Sequence, residues 1–151
     1  MAIQDDLITH FDRGLRRLRQ EIESYPNEET LWSQAGEINN SAGNLCFHLV
    51  GNLNHFIGAG IGKTGYMRDR PREFQITAVP REALIKYVEQ TRRMIWQVLR
   101  KLNDLDRPYP DDFRVESKTV GEELFRLLAH LHYHLGQINY HRRLLATHPK
   151  N

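Results

Sequence analysis

Four stretches of this chain carry apolar residues at steps of three or four, a spacing that an amphipathic helix gathers into one buried stripe. In the first, Ile3, Leu7, Phe11, Leu15, Leu18, Ile22 and Tyr25 line up until Pro26 and Asn27 end the run. After a loop holding Trp32, Asn39-Asn40-Ser41 offers side-chain oxygens to cap a second helix with the stripe Leu45, Leu49, Leu53 and Phe56. Gly58, Gly60 and Gly62 are expected to stop it, because each glycine makes helix costlier. The third helix opens at Pro80, whose missing N–H is no loss at a first helical position. It carries Leu84, Val88, Thr91, Ile95, Val98, Leu102 and Leu105 before Arg107-Pro108-Tyr109-Pro110 breaks it. The fourth starts at Thr119-Val120-Gly121-Glu122, a capping-box pattern, and runs through Leu124, Leu127, Leu131, Leu135 and Ile138 to about Leu145. Residues 113–119 alternate weakly and are expected to form a short extended piece. There is no internal repeat and no βαβ pattern.

Four such helices within 151 residues pack most simply as an all-α four-helix bundle around one core, a single domain spanning residues 1–151. The connection from Gly58 to Val79, at about 20 residues, far exceeds the usual 2–8 between antiparallel bundle neighbours. A connection of that length can cross the whole bundle and leave the second and third helices parallel. Hydrophobic residues at 40% and charged residues at 26% exclude a disordered tail or a fibre. A net charge of +2 argues against a dedicated nucleic-acid binder. No apolar run is long enough to span a membrane, and the acidic opening MAIQDDLITHFDRG is no secretory signal. The lone Cys46 excludes an internal disulfide and fits a reducing cytoplasm.

Several local patterns have plain structural readings. Gly58-Ala59-Gly60-Ile61-Gly62-Lys63-Thr64 is not a phosphate-binding loop: that motif needs glycine where Ile57 stands, and it follows a strand. Arg13, Arg16, Arg17 and Arg19 read as a solvated helix face diluted by Asp12, Glu21 and Glu23. Asn39-Asn40-Ser41 matches a glycosylation acceptor, which is idle without secretion. Cys46 lies about 200° around the helix from His48, so it reads as a core thiol and not as half of a Cys–His pair.

The unusual number is eight histidines, three of them in His130-Leu131-His132-Tyr133-His134. His130 and His134 form an i, i+4 pair on one helix face, about 6 Å apart along the axis, which lets two imidazoles hold one metal ion. His132 is turned about 200° away. Leu131 stands where a zincin protease would carry glutamate, so metalloprotease chemistry is excluded. The pair borders the Leu127–Leu131–Leu135 stripe, and a third ligand must come from another helix. His48 borders the Leu45–Leu49 stripe in the same way, with Asn52 and His55 following on its face. A border histidine is also an ordinary hydrogen-bonded packing residue, and spacing alone leaves both readings open.

The combination resembles a known group. Asn40-Ser41, Gly43-Asn44-Leu45, His48-Leu49 and Gly51-Asn52-Leu53 come first. The loop Arg68-Asp69-Arg70-Pro71-Arg72-Glu73-Phe74 follows, and last comes His130-x-x-x-His134-x-Gly136-Gln137-Ile138. Together these resemble the DinB superfamily of metal-binding helical bundles, which includes bacterial thiol-dependent transferases, and especially its DUF1572 branch of unknown function. The resemblance implies an up-down-down-up bundle, usually a homodimer, with a divalent ion on His48, His130 and His134. Many relatives carry arginine where this chain has Leu135.

Three neutral imidazoles leave coordination positions open, and zinc, nickel and iron all suit them. Two enzymatic readings stand beside each other. A low-molecular-weight thiol can bind the ion, lose its proton and attack an electrophilic small molecule, or the ion can activate water for hydrolysis. The competing class is a non-catalytic stress or interaction protein stabilised by its metal, with His55 or a carboxylate completing the shell. Glu73, Tyr133 and Gln137 are the nearest side chains able to move protons; the sequence assigns none of them a catalytic role.

Overall fold

The stripes become helices at nearly the expected places. A computed structural model describes residues 2–146. Its long helices are α1 (Ala2–Glu23), α3 (Ala42–Leu53), α5 (Arg81–Leu99) and α6 (Val120–Ala146), with short α2 (Glu28–Leu31) and α4 (Arg70–Gln75) in the connections. No strand is present among the described residues; a single bridge pairs Pro108 with Thr119. Helix α1 lies against α5 and α6, and α3 lies against the same two. Leu7, Phe11, Leu15, Leu18 and Ile22 of α1 are buried in the shared core with Leu49 and Leu53 of α3, Leu84 and Ile95 of α5, and Leu124, Leu127 and Leu131 of α6. Ile3, expected on that stripe, is exposed, because the first turn overhangs the core. Tyr25 is buried although it lies past the end of α1; its hydroxyl sits 2.7 Å from His141 Nδ1 and 3.0 Å from the Ile138 carbonyl.

The helix starts follow their local chemistry. Ser41 caps α3 by accepting from the Asn44 N–H at 3.1 Å. Thr119 Oγ1 accepts from the Glu122 N–H, and Glu122 reaches back to the Lys118 N–H, one residue earlier than a standard capping box. Pro80 is the residue before the first turn of α5, so the helix proper begins at Arg81.

Three expectations need correction. The three glycines do not stop the second helix: from Asn54 to Ile61 it widens into a π-helix, and it ends only at Gly62. Glycine permits this because Gly60 lies under the Tyr109 hydroxyl and Gly62 against Val98, positions where a Cβ would clash. The chain then reverses through Lys63 and Gly65, both at positive φ, of which only glycine adopts the second without cost. The third helix ends at Leu99 and not Leu105; Leu102 remains buried in the turn that follows, and the Leu105 carbonyl accepts from the Gly121 N–H at 2.8 Å. Periodicity cannot distinguish a helix from a loop that keeps packing on the same core. Residues 113–119 are not extended as a piece, since a 3-10 turn occupies Asp111–Phe113 and Arg114 is left-handed. The long connection contains α4.

Candidate metal centre

The face of α3 that carries His48 is built to receive α4. Asn44, one turn before His48, is buried and donates through Nδ2 to the carbonyls of Ile76 at 2.7 Å and Glu73 at 3.2 Å, which fixes the end of α4. Gly51, less than one turn after His48, leaves the space that the Glu73 carboxylate fills; a Cβ there would collide with Glu73 Oε1. Asp69 caps α4 by accepting from the Arg72 N–H, and Pro71 suits its first turn. Glu73 is thereby carried to His48, with Oε2 2.9 Å from His48 Nδ1.

Arg68 closes this corner. Its Nε and Nη2 donate to the two Glu73 oxygens at 2.7 and 2.9 Å, a fork-to-fork pair. Nη2 also lies 3.2 Å from His48 Nδ1. Burial alone would raise the Glu73 pKa. The hydrogen bonds from His48 and Arg68 and the Arg68 charge outweigh it and hold the carboxyl below the usual carboxylate range. Glu73 is thus an ionised acceptor behind His48, which accounts for it better than a role as a free base.

Helix α6 supplies the other two histidines. His48 Nε2 lies 3.2 Å from His130 Nε2, and His134 Nε2 lies 3.1 Å from the same atom. Among the described residues, these three form a group whose ligand atoms all lie within 4.8 Å of one another. Tetrahedral zinc with Zn–N bonds near 2.0–2.1 Å would space its nitrogens about 3.3 Å apart, so two of the three separations fit one ion closely. The outer nitrogens sort the protons. His48 Nδ1–H donates to the Glu73 carboxylate, and His134 Nδ1–H donates to Gln137 Oε1 at 2.7 Å. Both Nε2 atoms then present lone pairs to the common point, as metal-bound imidazoles do. Burial, followed by the neighbouring His134 and His48, pushes the His130 pKa down to about 3. Burial lowers His134 as well, partly opposed by the Gln137 hydrogen bond. Neutral imidazoles are the form that binds metal.

The other candidates separate. His132 is exposed, and His55 is not part of the cluster; its ring lies against Phe56 and Phe113. Tyr133 is 64% exposed, and Gln137 is engaged with His134. Cys46 is buried, and burial raises its thiol pKa to about 12, so it is a packing residue. The basic run of α1 pairs outward, with Arg16 on Asp12 and Arg19 on Glu23. An open groove of about 740 Å³ reaches His134 between Ile38–Asn40 and the exposed faces of Tyr133 and Tyr140. Sequence reasoning missed what Arg68, Asn44 and Gly51 do, although each stands in a quoted motif. Their only sequence signal is that Gly51 and Asn44 share the His48 face at helical spacing.

The fold and the cluster together define an all-helical protein whose separate helices bring three histidines to a point able to hold a metal ion. The chain belongs to the family described as protein of unknown function (DUF1572), whose model matches residues 3–149. No curated protein and no solved structure matches it. No helix among the described residues is long and apolar enough to cross a membrane.

Proposed function

We propose that this protein is a DinB-like four-helix bundle that holds one divalent ion on His48, His130 and His134. In this reading it is a cytoplasmic enzyme that transfers a low-molecular-weight thiol to an electrophilic small molecule. The up-down-down-up order is supported by the packing of α1 and α3 on the same two partners and by the long crossover through α4. The observation that carries the site is the convergence of three Nε2 atoms while Glu73 and Gln137 occupy the outer nitrogens of two of the rings. Zinc, nickel and iron all suit such a donor set.

Among the described residues no fourth histidine, cysteine or carboxylate joins the cluster, which favours an open site over a closed structural one. When bound, the ion would lower the pKa of a coordinating thiol and keep it as thiolate at neutral pH. The protein's own part is to hold three neutral imidazoles in place, with the Glu73–Arg68 pair fixing the His48 ring and its proton. The groove beside His134 offers room for a small molecule. Titrating the cobalt-loaded protein with cysteine and glutathione tests the reading. A sulfur-to-cobalt charge-transfer band in the near ultraviolet is expected, retained in Cys46→Ser and lost in His134→Ala. No spectral change up to millimolar thiol would remove the transferase reading and leave hydrolysis or metal-stabilised binding.

A further inference from the structure

Two of the three histidines have an acceptor behind them, and the third has none. His130 Nδ1 is buried without a hydrogen-bond partner among the described residues. Directing Nε2 to the cluster forces the proton of a neutral His130 onto Nδ1, which becomes a buried donor in need of an acceptor. A buried acceptor in need of a donor stands on α3: Asn52 is 4% exposed, and its Oδ1 is likewise unpartnered.

The packing of α3 on α6 orders the two along the interface. His48 on α3 meets His130 on α6, whereas Arg126 on α6 lies over the ring of Phe56, 5.2 Å from its centroid. The helices therefore run in opposite directions, and Asn52 sits between these two rungs, one turn from His48 on its stripe. His55, whose Nδ1 is also unpartnered, lies nearly two turns from His48, with its ring packed against Phe56 and Phe113.

We propose that the Asn52 carboxamide accepts the His130 Nδ1 proton through one bridging water, and is the positioning residue for His130 as a metal ligand. This rests on the three-histidine reading and extends it. His48 leans on a carboxylate that Arg68 holds, His134 on the Gln137 amide, and His130 on the Asn52 amide. Each ring is thus fixed by a different element: α4, α6 and α3.

The test compares zinc affinity, by competition with a chromophoric chelator, in wild type, Asn52→Leu, Asn52→Asp and His55→Phe. It is combined with nitrogen-15 spectra of the histidine rings in the zinc-loaded protein. Asn52→Leu is expected to weaken zinc binding 10- to 100-fold, the usual cost of removing an outer-shell acceptor. Asn52→Asp keeps the acceptor and should hold zinc at least as tightly, and His55→Phe should bind as wild type. The His130 Nδ1 proton should be slow to exchange in wild type and should shift in Asn52→Leu, with the His48 and His134 signals in place. An Asn52→Leu protein within twofold of wild type overturns the proposal, and so does equal loss in Asn52→Leu and Asn52→Asp, which marks a packing effect. A loss in His55→Phe alone assigns the acceptor to His55 and overturns it as well. If Asn52→Leu does not fold, a rapidly exchanging His130 Nδ1 proton in wild type overturns it independently. A wild-type protein that binds no zinc overturns the three-histidine reading and takes this one with it.

Discussion

A methyl group at Gly51 would collide with Glu73 Oε1, so this one position decides whether the carboxylate can stand behind His48. Helix propensity alone favours alanine there by roughly 0.5–1 kcal/mol. Gly51→Ala is nevertheless expected to lower the melting temperature and to weaken metal binding, because Glu73 must leave His48 and Arg68. Calorimetry and chelator competition check the two effects; a stabilised variant with unchanged affinity would show that Glu73 does not anchor the ring. At this scale the sequence was informative about His130 and His134, because i, i+4 spacing on a helix fixes a shared face without knowledge of the fold. It was equally informative about Cys46, by the angle separating it from His48. It named Glu73 beside the site but not as the acceptor behind His48, and gave Arg68 no role, because the two reach His48 from a six-residue helix and a loop whose placement no periodicity encodes.

The π-helix after α3 shows why helix ends were harder to read than helix existence. Gly58, Gly60 and Gly62 resemble a stop signal, yet two of them instead clear room for side chains from other elements. Tyr109 donates its hydroxyl to the Phe56 carbonyl at 2.8 Å, a hydrogen bond possible only because Gly60 lacks a Cβ. Gly60→Ala is expected to destabilise the protein by roughly 1–3 kcal/mol, the usual cost of overpacking. Tyr109→Phe removes the nearest colliding atom, so the double variant should lose less than the sum of the two singles. Urea unfolding of the four proteins measures that coupling; strict additivity would place the clash elsewhere. The end of α5 was misread for the opposite reason: Leu102 keeps the apolar spacing while the backbone has already turned.

In the whole molecule, the four long helices were legible because each buries a stripe, and a chain of 151 residues has one economical way to cover four stripes. Which helices neighbour each other was not legible, because a stripe records that a face is buried and not what covers it. The arrangement matters because His48 and His130 are 82 residues apart and meet only when α3 packs on α6. Metal analysis of the reconstituted wild-type protein beside His130→Ala, His134→Ala and His132→Ala measures directly whether these histidines hold an ion. About one divalent ion per chain is expected in wild type and His132→Ala, with sharply reduced occupancy in the other two. An ion retained by His130→Ala but lost from His132→Ala, or no ion bound by wild type, would contradict the three-histidine reading.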